Sequence, residues 1–107
     1  MSETLRWPPK DPDEDLDYEI DWTDRLRSLP AAANDTISGT PSWSVSGSGL
    51  AIGTGGKAPT ATETSTKVWL SGGTAGQVYD VTCRITTTGG RTMELTYKLL
   101  VRSSAEG

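Results

Sequence analysis

A chain of 107 residues with one Cys, no His and a formal charge of −4 suits a single domain with a small core, and it offers neither a disulfide framework nor a thiolate or imidazole metal cage. The missing His also removes the usual general base near neutral pH, so an enzyme would have to rely on paired carboxylates in a sheltered cleft, and the sequence argues against one. No apolar run reaches the roughly 18 residues of a membrane span, and MSETLRWPPK lacks a signal-peptide apolar segment, so the expectation is a protein made and kept, or assembled, in a cytoplasm.

Charge is divided unevenly along the chain. Residues 1–25 hold nine acids and three bases, whereas residues 26–107 hold five acids and seven bases. An acidic lead-in therefore precedes a mildly basic body. The lead-in repels DNA, and the body has no cluster of Lys and Arg with interleaved aromatics, so neither direct nucleic-acid binding nor membrane binding is expected.

Residues 1–16 are predicted to form an extended acidic arm, held open by Pro8, Pro9 and Pro12 and by like charges. Leu5 and Trp7 are its candidate apolar anchors, and Asp11, Asp13, Glu14 and Asp15 are candidate contacts to a basic groove on a neighbouring subunit. The alternative is a plain solvated tail. Asp11-x-Asp13-x-Asp15 resembles the start of a calcium loop, but Leu16 stands where the sharp-turn Gly belongs and Trp22 where the bidentate Glu belongs, so no metal site is predicted. The domain proper is placed at residues 17–103. It opens on a strand with Tyr18, Ile20 and Trp22 inward and Asp17, Glu19 and Asp21 outward.

TDRLRSLPAAAND could make one helical turn before Pro30, but it is too short and too punctuated for a stable helix and is expected to turn or loop. Ile37, Trp43 and Val45 are inward candidates in two short strands kinked at Gly39 and Pro41, and Leu50 and Ile52 follow in phase. GTGGKAPTATET reads as loop, with a weak strand at its Thr-rich end; its glycines lack the Lys-Ser/Thr and strand-helix context of a phosphate loop. Asn34-Asp35-Thr36 fits a glycosylation sequon that a cytoplasmic chain would not use. TKVWLSG sets Val68 and Leu70 on one parity and Trp69 on the other, which makes Trp69 either a residue packed under a loop or an interface anchor.

The strongest signal comes last. QVYDVTCRITT puts Tyr79, Val81, Cys83 and Ile85 inward, TTGG turns, and RTMELTYKLLV returns with Met93, Leu95, Tyr97, Leu99 and Val101 inward. The two runs should pair antiparallel, with Cys83 as a small buried hydrophobe. A second sheet, expected from the Tyr18, Ile37 and Trp43 segments, must cover their apolar face. About seven short strands with regular turn signals predict an all-β, immunoglobulin-like antiparallel sandwich.

The acidic lead-in before Tyr18-x-Ile20-x-Trp22, the entry Lys67-Val68-Trp69-Leu70-Ser71-Gly72-Gly73 and the hairpin Thr88-Gly89-Gly90-Arg91-Thr92, in this order, resemble a family of tailed-bacteriophage structural proteins, the fiber-tail adaptors and neck or tail accessory proteins. That resemblance implies a non-enzymatic virion component without cofactors. Its partners would be neck, tail or fiber subunits and further copies of itself in a symmetric ring. A capsid decoration protein, and a carbohydrate-binding or adhesive module in which Trp43 or Trp69 stacks on sugar rings, are the alternatives.

Overall fold

The computed structural model describes residues 5–30 and 34–103. These residues form eight strands in two sheets: β1 Leu5–Arg6, β2 Asp15–Asp21, β3 Ile37–Val45, β4 Leu50–Ile52, β5 Thr60–Ala61, β6 Ser65–Gly72, β7 Val78–Thr87 and β8 Thr92–Leu100. One sheet runs β1-β8-β7-β3 and the other β2-β6-β4, with β5 also paired to β6. Within β2-β6-β4 and within β8-β7-β3 neighbouring strands pair antiparallel, and the two sheets enclose the core as an all-β sandwich.

The period-2 pattern fixes the inner face. Tyr79, Val81, Cys83 and Ile85 of β7 lie opposite Leu99, Tyr97, Leu95 and Met93 of β8 in antiparallel register, and the link between them turns at Gly90 with φ 86°. From the other sheet Tyr18, Ile20, Trp22, Val68 and Leu70 meet them, all buried. Trp43 of β3 is paired with Cys83 and packs against both halves of this core. Tyr79, at the start of β7, uses its hydroxyl to receive the Thr74 N–H at 2.9 Å and to donate to the Ser48 carbonyl at 2.6 Å, which ties the β3–β4 and β6–β7 connections together.

Two expectations need correction. The Ile37 and Trp43 segments are not part of the covering sheet: they form β3, one nine-residue strand in the same sheet as β7, with its register shifted between Ser38 and Ser42 where Gly39 takes φ 72°. Alternation had fixed which face each segment buries, but it carries no information on the neighbouring strand; β6 supplies the centre of the second sheet instead. The TDRLR segment is a helix, α1 Thr23–Arg27, rather than a loop. Burial of Leu26 at 2% exposure supplies what propensity lacks, with the Leu26 N–H on the Trp22 carbonyl and the Thr23 N–H on Asp21 Oδ1.

The segment expected to extend as an arm lies, from Leu5 onward, against its own domain. Leu5 and Arg6 pair in parallel with Tyr97 and Lys98, and Lys10 bridges to Val101.

Candidate interaction surface

The acidic lead-in is organised around a cation that the sequence does not advertise. Lys10 is wholly buried; its Nζ donates to the carbonyls of Asp11 at 2.8 Å and Gly72 at 2.7 Å, and its backbone is held by Leu100 and Arg102. Burial pushes the Lys10 amine below its ordinary pKa, while Glu14, Asp11, Asp15 and Asp13 oppose that shift. The nearby acids thus favour the charged form of an amine whose hydrogen bonds go to two backbone carbonyls. Asp11 also closes a turn, receiving the Glu14 N–H at its carbonyl (3.0 Å) and the Asp13 N–H at Oδ1 (2.8 Å), while Glu14 Oε1 receives the Asp11 N–H at 2.9 Å.

Leu5 is half-buried, and Trp7 packs against both halves of the core. The Trp7 indole stacks on Tyr18 and on Tyr97, with ring centroids 4.6 Å away on each side and interplanar angles of 26° and 16°. Burial, and secondarily Glu14, pushes the Tyr18 phenol up to about 12.

The outer face of the β2–β6 pair is different in character. Asp15, Asp17, Glu19 and Asp21 lie opposite Ser71, Trp69, Lys67 and Ser65, a register that sets an acidic row beside a half-buried Trp. Lys57 reaches over from the 3-10 turn Gly55–Lys57, with Nζ 2.6 Å from Asp15 Oδ2 and 5.0 Å from the centroid of the Trp69 ring. Lys67 is 3.7 Å from Asp17. Such exposed pairs add little stability, but they position the lysines around the indole. Gly53 makes this possible: a Cβ there would collide with the Lys57 carbonyl and lie 2.9 Å from Trp69 Cβ. Trp69 is therefore the residue of the predicted site that presents a large apolar surface among charges. Trp43 lies within the sandwich and does not join it in a stacking platform.

Sequence reasoning missed Asp35. Its side chain, 4% exposed, takes hydrogen bonds from Arg91 Nη1 (2.7 Å), Thr88 Oγ1 (2.9 Å), the Gly89 N–H (2.9 Å) and the Thr36 N–H (3.0 Å), and so pins the β7–β8 hairpin to the entry of β3. Hydrogen bonding, with Thr87 the largest contributor, followed by Arg91, Thr88 and Gly89, holds its carboxyl well below the usual range. Within Asn34-Asp35-Thr36 the informative residue was the acid, and its partners in Thr88-Gly89-Gly90-Arg91 lie more than fifty positions away.

Among the described residues no group of three or more Asp, Glu or Cys side chains is placed to hold a metal ion, and no helix is long and apolar enough to cross a membrane.

The family described as podophage GP4 fiber-tail adaptor protein gp77 matches residues 10–100 of this chain, from the buried lysine to the end of β8. No curated protein matches it.

Proposed function

This chain belongs to the podophage fiber-tail adaptor family, and we propose on that premise that it links fibers to the tail of a bacteriophage particle by binding proteins of both, without catalysis. The match over residues 10–100 carries this reading, since it spans both sheets and the Trp69 face. In the proposed arrangement several copies surround the tail near the head-tail connector in a symmetric ring, assembled in the host cytoplasm before the particle is complete. Trp69, ringed by Lys57, Asp15 and Asp17, is the anchor for the second protein: an indole in a charged surround is the composition of an interface hot spot. Asp11, Asp13 and Glu14, in the turn that precedes β2, would add negative charge toward a basic partner.

A capsid decoration role has only the size and sandwich fold in its favour, and a sugar platform would need a second indole beside Trp69, whereas Trp43 packs against the core from the other sheet. The test is a phage with this gene disrupted. Particles with tails but without fibers, unable to adsorb, are the expected result; particles carrying their full set of fibers would overturn the proposal.

A further inference from the structure

On the outer face of the second sheet Asp15, Asp17, Glu19 and Asp21 of β2 stand in sequence, all exposed, with Ser71, Trp69, Lys67 and Ser65 of β6 as their partners. Residues two apart on a strand share a face and lie about 6.7 Å from one another. Four acids thus form a regular row against two lysines, Lys57 and Lys67, which leaves the face negative. The acids are engaged to different degrees. Asp21 receives the Thr23 N–H at the start of α1, and Lys67 stands 3.7 Å from Asp17, beyond hydrogen-bond reach. The Glu19 carboxylate has no ion pair among the described residues.

The Lys57 ammonium occupies a defined seat on this face, 5.0 Å from the Trp69 ring centroid and 2.6 Å from Asp15 Oδ2. An indole face and a carboxylate that converge on one nitrogen are a receptor for a cation. The floor beside the seat is low: Ala51 and Ser71 are paired neighbours, and Gly53, whose N–H bonds to the Trp69 carbonyl, has no side chain. The present occupant is weakly held. Lys57 ends a three-residue turn and is half-exposed, and exposed ion pairs and cation–π contacts each add little. A guanidinium would fill the seat better, because it stacks flat on an indole and offers paired N–H groups to a carboxylate.

We propose that this face binds an extended basic segment of a partner protein, with a cationic residue at every second position, and that one of those cations displaces Lys57 from Trp69. An extended segment repeats its side chains at the spacing of the acid row, so its cations meet Asp15, Asp17 and Glu19 together, and the one nearest Asp15 takes the indole. Lys57 is then an internal competitor that fills the seat until the partner arrives. The same face of a second copy does not qualify, since it would set one acid row against another. The inference deepens the adaptor reading and rests on it for the source of the segment, a tail or fiber protein.

The test is a titration of the full-length chain with the peptide acetyl-Arg-Thr-Arg-Thr-Arg-amide, followed by NMR at the Trp69 indole N–H and the β2 amides. We expect saturable shifts confined to this face. Acetyl-Arg-Arg-Arg-Thr-Thr-amide, with the same charge and the wrong spacing, should bind roughly threefold or more weakly. Lys57→Met should tighten binding of the first peptide by about three- to tenfold, because it empties the seat. Lys57→Arg keeps the charge and fills the seat more firmly, so it should weaken binding. Equal affinity for the two peptides, or binding left unchanged by Lys57→Arg, would reduce the effect to net charge and overturn the proposal. Absence of saturable shifts in Lys57→Met would overturn it as well. Neither failure touches the adaptor reading, which stands or falls on the fibers of the gene-disrupted phage, whereas peptide binding is read on the isolated chain.

Discussion

Replacing Thr66 by Val tests the polar contact that joins the two sheets inside the core. Thr66 of β6 is 1% exposed; its Oγ1 accepts the indole N–H of Trp22 at 2.9 Å and the thiol of Cys83, on the opposite sheet, at 3.6 Å. Val keeps nearly the same volume and removes the acceptor, which leaves a buried indole donor without its partner. An orphaned buried donor costs about 1–3 kcal/mol. The extra apolar group offsets up to about 0.8 kcal/mol, so the net loss expected is about 1–2 kcal/mol. At roughly 4–8 °C per kcal/mol for a domain of this size, the thermal midpoint should fall by about 4–16 °C. Circular dichroism or calorimetry at neutral pH reads this, and a cycle with Trp22→Phe isolates the contact. In the Trp22→Phe background the indole donor is gone and only the weak Cys83 thiol contact is lost, so Thr66→Val should cost much less, with a coupling of about 1–2 kcal/mol between the two substitutions. The same cost in both backgrounds would refute the reasoning.

Further outcomes follow from individual side chains. Asp35→Asn should destabilise the β7–β8 hairpin at neutral pH. Because the folded Asp35 pKa is depressed, its stabilisation is fully present above the unfolded value near 3.9 and is lost as pH falls through that value toward the lower folded one. The gap between the melting curves of the variant and the parent should therefore close on acidification below about pH 4, and a gap that persists to strongly acidic pH would contradict the assignment. Burial, opposed only by the Thr66 hydrogen bond, pushes the Cys83 thiol up to about 11, so thiol reagents should modify it only on unfolding; rapid labelling of the native protein would contradict its placement. Amine acylation should likewise spare Lys10 while modifying Lys57 and Lys67, as peptide mapping would reveal. Trp69→Ala should leave the fold intact and weaken capture of the partner tail protein by about 2 kcal/mol, roughly thirtyfold; unchanged capture would remove Trp69 from the interface.

The sequence made some of this architecture plain and hid the rest for physical reasons. The β7–β8 hairpin, the inward Cys83 and the inward Tyr18-x-Ile20-x-Trp22 were readable because each strand buries one face, which writes a period of two into the residues. The partner of β3 was not readable, since Ile37 and Trp43 show the same alternation beside β7 as they would in the other sheet. Leu26 holds α1 through a tertiary contact that no five-residue window contains. Lys10 was the least legible residue of the candidate site: between prolines and aspartates it looks solvated, and only the nearness of the Gly72 carbonyl, 62 positions along, shows that it is buried. The acids of this segment oppose the effect of burial on Lys10, a coupling that the sequence hides, and Trp69 stands beside charges on the outer face of β6.

Crosslinking mass spectrometry on purified particles tests the adaptor account most directly. The exposed amines of Lys57 and Lys67 flank Trp69 and should report what that face touches, whereas buried Lys10 cannot. The account expects this chain in the intact virion, with crosslinks from Lys57 or Lys67 to a fiber or tail protein. Particles that are complete and infectious without the chain, or a chain present whose Lys57 and Lys67 link only to capsid subunits, would contradict it.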